Sequence, residues 1–197
     1  MKIMKQSKKI FTTIYFFFFL CASAQYLKSS EPINAFLATQ KIEKGKKYIL
    51  QADRVSNKQA LRIFNGDEGP DHVGEPNVPI DYKDGLFVEK HWKKMYEKYA
   101  SDTVKRYWRK EDFPEYDFVL EGKDGLFGSA FHDKYMNSKI EDVVMVSEPM
   151  YYMDRKYVMF YYNVASFFGS NQPEVIIMKK EKEKWIVVKV IGDYVYY

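Results

Sequence analysis

From Glu141 to Tyr197 the chain is a series of short β-prone segments divided by turn-formers, and this pattern limits the fold more than any other feature. The segment from Asp142 to Ser147 holds Val143, Val144, Met145 and Val146 and breaks at Glu148-Pro149, because proline cannot donate to a β-ladder. Lys156 to Val164 is dense in Tyr, Val, Met and Phe. Glu174 to Lys180 carries Val175, Ile176, Ile177 and Met178, and Trp185 to Ile191 carries Val187, Val188 and Val190. Such side chains suit a pleated, half-buried surface. The charged run from Lys179 to Lys184 has the polarity and length of a hairpin turn, and Gly192-Asp193 allows a short terminal strand. The expected arrangement is an antiparallel meander. A sheet is stable only when another layer covers it.

The first half of the chain supplies candidates for that layer. Residues 29–44 read as a helix capped by Ser29 or Ser30, with Pro32 in its first turn, Ile33, Phe36, Leu37 and Ile42 on one side, and Gly45 as its end. Residues 47–64 have no clean period, so strand and helix stay open there. Residues 65–84 shift to Gly, Pro, Asp and Asn and read as a surface loop and internal boundary. Phe87 to Tyr99 is the strongest helix: Val88, Trp92, Met95, Tyr96 and Tyr99 recur at three- and four-residue steps, with charged residues opposite. Ser101 or Asp102 then caps a further helical turn carrying Val104, Tyr107 and Trp108, which must stop at Phe113 before Pro114. The expectation is an α+β domain, with N-terminal helices packed on a C-terminal antiparallel β-meander. Lys83-Asp84-Gly85-Leu86-Phe87 is echoed at Lys123-Asp124-Gly125-Leu126-Phe127, a turn signature that two independent turns can share.

The N-terminus has the form of an export signal. Lys2, Lys5, Lys8 and Lys9 precede an apolar run from Ile10 to Leu20, and Ala22-Ser23-Ala24 offers small residues before Gln25. The apolar run is about half the roughly 20 residues a spanning helix needs. Residues 1–24 are therefore expected to be a cleaved signal peptide and 25–197 a single domain, periplasmic or secreted. Lipidation at Cys21, the minor alternative, is disfavoured by the bulky Phe19 and Leu20 before it. The four leader lysines carry the whole net charge of +4, so the remainder is formally neutral and gives no electrostatic ground for nucleic-acid binding. Cleavage also removes the one cysteine, which excludes a disulfide, thiolate catalysis and zinc–thiolate sites.

No nucleotide loop, Gly-x-Ser-x-Gly elbow or zinc spacing occurs. Asp67, Glu68, Asp71, His72 and Glu75 gather oxygen ligands in one loop, but their spacing fails the calcium-loop template, so no metal and no cofactor are expected. Residues 89–110 carry eight basic and three acidic side chains among aromatics. Those aromatics belong to an apolar helix face, and the acidic residues that follow offset the charge. Three histidines remain, of which His91 and His132, the latter beside Asp133, are the catalytic candidates for a His–carboxylate pair. The tyrosines of the meander exceed what one sheet face can bury. Period two sends Tyr157 and Tyr161 to one side and Tyr162 to the other, and with Tyr194 and Tyr196 these are the candidate ligand-binding residues.

Val146-Ser147-Glu148-Pro149, Tyr157-Val158-Met159-Phe160-Tyr161-Tyr162, Met178-Lys179-Lys180 and Lys184-Trp185 together resemble the C-terminal part of uncharacterised secreted proteins of Bacteroidetes-type bacteria, as does the Ala-Gln cleavage site. The resemblance implies no activity. Helices before a curved antiparallel sheet are similar to the cystatin-like or NTF2-like architecture, which carries no function with it. The leading expectation is a non-catalytic domain that binds a protein or small ligand through an aromatic-rich sheet face. The alternatives are a hydrolase-like enzyme with a His–carboxylate pair and an envelope structural or immunity-type protein with a flat dimerising surface.

Overall fold

The computed structural model describes residues 30–40, 42, 46–66, 83–138, 140, 142–167 and 171–192. The leader, the acidic loop from Asp67 to Glu75, Tyr194 and Tyr196 lie outside them. In chain order the elements are α1 (residues 30–37), β1 (Tyr48–Gln51), α2 (Asn57–Asn65), α3 (Glu89–Tyr99), β2 (Phe118–Glu121), α4 (Ser129–Tyr135), β3 (Asp142–Val146), β4 (Met150–Tyr152), β5 (Tyr157–Ser166), β6 (Glu174–Glu181) and β7 (Lys184–Gly192). One seven-stranded sheet runs β2-β1-β3-β5-β6-β7, with β4 also paired to β5. The fold is α+β, with the four helices ahead of the antiparallel meander.

β3 and β4 lie on the same side of β5, divided at Glu148-Pro149. Ser147 bridges the gap: its N–H donates to Tyr161 O at 3.1 Å, and its hydroxyl accepts from Tyr161 N at 2.9 Å. The interrupted ladder thus keeps its backbone groups satisfied inside the core, where an unpaired group is costly.

Period two sorts the sheet residues onto two faces, and both are covered. On the first lie Tyr48, Leu50, Val144, Val146, Val158, Phe160, Tyr162, Ile176 and Met178, packed by Ile33, Phe36 and Leu37 of α1 and by Trp108 and Phe113. Phe36 meets Phe160 and Tyr162 edge-on, at centroid separations of 5.7 and 4.9 Å. On the second face α2 and α3 cover Met159, Tyr161, Val175 and Ile177, while α4 covers Ile49 and Val143. Trp92 Nε1 donates to Leu61 O at 3.4 Å, tying α3 to α2. Tyr152 supplies the cap that Val88 lacks, its hydroxyl accepting from Val88 N at 2.9 Å.

Several expectations need correction. The open stretch 47–64 holds both a strand and a helix, with Ser56 and Gly66 capping α2 at its two ends. α1 stops at residue 37 instead of 44. Thr39 N bonds back to Phe36 O and Gln40 N to Leu37 O, closing the helix in a tighter turn, and the Thr39 hydroxyl also donates to Phe36 O. Residues 102–109 are not helical, and the segment has only a single 3-10 turn at Lys110–Asp112. Asp102 Oδ1 accepts from Val104 N in a local turn, and the chain then runs beside residues 52–54 through Arg54 N to Arg106 O and Trp108 N to Ala52 O. Trp108 is thereby buried while Val104 and Tyr107 stay exposed. The two Lys-Asp-Gly-Leu-Phe copies differ: positive φ falls on Gly85 in the first and on Phe127 in the second, so the echo is shared turn chemistry with two local outcomes.

The β6–β7 hairpin turns on Lys182 and Glu183, both left-handed, at φ 46° and 65°. That geometry favours Asn-Gly. Replacing the pair as Lys182→Asn with Glu183→Gly is expected to stabilise the protein by about 1 kcal/mol in urea unfolding, since each left-handed non-glycine residue costs roughly that much. The Lys180–Glu183 ion pair lost is solvent-exposed and offsets little of the gain.

Candidate functional site

Because α1 ends at residue 37, it covers Phe160 and the ring of Tyr162 but stops short of the next inward positions of β5. There the sheet forms the floor of a cleft of about 350 Å³, lined by Gln40, Asp142, Tyr162, Val164, Ser166, Gln172 and Glu174. Each position follows from local structure. Gln40 sits in the turn that closes α1. Asp142 opens β3 on the side of Val144 and Val146, and Glu174 opens β6 on the side of Ile176 and Met178. Tyr162, Val164 and Ser166 alternate along the end of β5, and Gln172 comes from its connection to β6.

Tyr162 is 5% exposed, and among the described residues its hydroxyl has no hydrogen-bond partner. Burial first, then the charge of Glu174, holds this phenol far above its ordinary value, with smaller effects from Tyr48, Tyr116 and Asp142. It therefore stays a neutral hydroxyl that can donate and accept. Glu174 stands opposite Tyr162 on one side and opposite Gly192 on the other. Its carboxylate is half-buried, has no hydrogen-bond or ion-pair partner among the described residues, and is raised above the ordinary carboxylate range by burial.

The two carboxylates do not form a proton-sharing pair. Asp142 faces Ser166 and Glu174 faces Tyr162, on opposite flanks of β5. Four residues of strand, about 13 Å, separate those partners. The upward shift at Glu174 arises from burial alone, with no contribution from Asp142. Separated acids around a neutral hydroxyl suit hydrogen-bonded capture of a ligand better than acid–base chemistry between two carboxyl groups.

Of the described candidates read from sequence, Tyr162 alone lines this cleft. Tyr161 is buried on the opposite face and Tyr157 is half-buried beside it, so the three do not form one open platform. His91 lies on α3 with its ring edge-on to Tyr152, 6.2 Å between centroids. His132 on α4 packs against Phe131 and Phe167 at 6.0 and 6.1 Å, and Asp133 is exposed. Among the described residues neither imidazole has a carboxylate partner. No group of three or more His, Cys, Asp or Glu among them could hold a metal ion, and no helix among them is long and apolar enough to cross a membrane.

Sequence reasoning passed over Asp142, Glu174, Gln40, Ser166 and Gln172. A signal existed for the two acids: each shares the inward parity of the apolar residues that follow it, where a carboxylate is out of place unless it serves a ligand or a partner. Comparison with protein-family models, with curated proteins and with solved structures found no match to this chain.

Proposed function

We propose that the chain is an exported, non-catalytic binding domain that holds a small polar ligand in the cleft beyond α1. The supporting observation is the Tyr162 hydroxyl, which sits among buried residues, lacks a hydrogen-bond partner among the described residues, and lines a cavity of ligand size. The hydroxyl opens onto the cleft, where an occupant can complete its hydrogen bonds. Polar groups converging in a concave site are the usual form of a small-molecule pocket. The reading of export rests on the form of the leader, and an exported domain would meet small solutes from outside.

The test is a nuclear magnetic resonance screen of small amines, polyols and carboxylates against the exported protein, repeated on Val164→Trp, which fills the cleft from the end of β5. Binders are expected to shift the backbone resonances of Ser166, Gln172 and Glu174 saturably and to lose that effect in the variant while its melting temperature holds. Binders whose shifts map elsewhere, or that act equally on Val164→Trp, would overturn the assignment.

A further inference from the structure

The composition of the cleft walls narrows the class of occupant. None of the seven lining residues is basic; the walls are two acids, a phenol, a hydroxyl, two neutral amides and one valine. Among the described residues, the groups whose charge reaches the Tyr162 hydroxyl are Glu174, Tyr48, Tyr116 and Asp142, and no cation is among them. Glu174 faces a phenol across one ladder and a glycine across the other, so neither neighbouring strand brings it a donor strong enough to offset its charge. A half-buried carboxylate in that position is costly, and a ligand that brings both charge and N–H donors removes the cost.

We propose that the cleft takes an organic cation: an ammonium group donates to the Glu174 carboxylate and the Tyr162 hydroxyl, and a short hydrocarbon chain lies against Val164. This deepens the reading of the cleft as a binding site and rests on it. An ammonium carries three donors and no acceptor, which matches walls whose carboxylate, hydroxyl and amide oxygens all accept. An anion meets Glu174 with like charge. A neutral alcohol can donate one hydrogen bond to Glu174 but leaves its charge uncompensated.

The experiment titrates the full chain, purified as exported, with n-butylammonium, 1-butanol and butyrate at low salt, three probes of one length that differ in charge. Butylammonium is expected to shift Ser166, Gln172 and Glu174 saturably and more tightly than the other two. Glu174→Gln, which removes a half-buried charge without changing shape, is expected to weaken it at least about ten-fold. Tyr162→Phe should weaken it less, and Glu181→Gln, at the exposed far end of the same strand, should leave it unchanged. If butanol or butyrate binds these residues as tightly, the cation proposal is overturned and the cleft stands as a site for another class. If butylammonium binds Glu174→Gln as well as the parent, or if no probe shifts these residues, the cation proposal also fails; the Val164→Trp screen then decides separately whether the cleft binds anything.

Discussion

Trp108→Ala should lower stability by about 4 kcal/mol, near the top of the range for truncating a buried aromatic. Trp108 is 2% exposed and belongs to the cluster under the first face of the sheet. Three contacts are lost with the ring. Its indole N–H donates to Val146 O at 3.1 Å, its face meets Phe113 at 5.2 Å, and the Arg54 guanidinium lies over it at 4.0 Å. Truncation therefore adds an unsatisfied carbonyl and a less-shielded buried cation to the cavity it opens. A domain of this size is stable by roughly 5–15 kcal/mol, so the variant should retain a shortened urea transition or none. Trp108→Phe keeps an aromatic ring in the site, though a smaller one and without the N–H, and should recover more than half of the loss. Equal losses for the two variants would mean that the hydrogen bond, and not the packing, dominates.

The same residue shows where the sequence was legible and where it was not. Trp108 reads as a core residue from its apolar neighbours, but its local structure was assigned to a helix because Asp102 resembles a cap. What decides the matter is non-local: the backbone of residues 52–54 offers partners that a helical turn would forgo. The meander was readable because β5, β6 and β7 are long, rich in β-branched and aromatic residues, and divided by a charged turn. β2 and α4 were not. They are four and seven residues long, and β2 pairs in parallel with β1, which precedes it by a long crossover that no local pattern announces. α4 is fastened instead by tertiary contacts: Glu121 on β2 accepts from both Lys134 and the Tyr135 hydroxyl.

The cleft follows the same logic. Its floor is ordinary strand alternation and could be read from the sequence, but its opening depends on α1 ending at residue 37. The sequence allows that helix to run to Gly45, because Ile42 keeps the apolar spacing. In the structure Ile42 still packs against the core, from outside the helix. The aromatic count draws notice to Tyr162 by expecting surplus rings to be exposed, whereas this ring is 5% exposed. The ring packs against Phe36, and what distinguishes the residue is a hydroxyl left without a partner among the described residues. Counting hydrogen-bond partners needs coordinates, so the sequence offers only the inward parity of Glu174 as a sign of its place in the cleft.

Removing the carboxylate of Glu148 should cost nearly as much as removing Trp108, for an electrostatic reason. Glu148 Oε1 lies 2.5 Å from Arg54, whose side chain is 5% exposed, and Oε2 lies 3.2 Å from Arg106, whose side chain is 40% exposed. Breaking a buried pair at one partner costs about 3–5 kcal/mol, because the surviving charge has already lost its water. Glu148→Ala is therefore expected to destabilise by about 3 kcal/mol. Arg106→Ala, which removes the solvated partner of the same carboxylate, should cost under about 1 kcal/mol. The double variant Arg54→Met with Glu148→Met should recover most of the loss, since apolar side chains of similar volume avoid the desolvation penalty. The position carries a further consequence. Glu148-Pro149 is where β3 gives way to β4, and Arg54 lies three residues beyond the end of β1, so the ion pair clamps the interrupted strand to the parallel half of the sheet. If Glu148→Ala and Arg106→Ala lose stability equally, burial does not govern the network, and the clamp must act through the backbone bridge between Val55 and Ser147 instead.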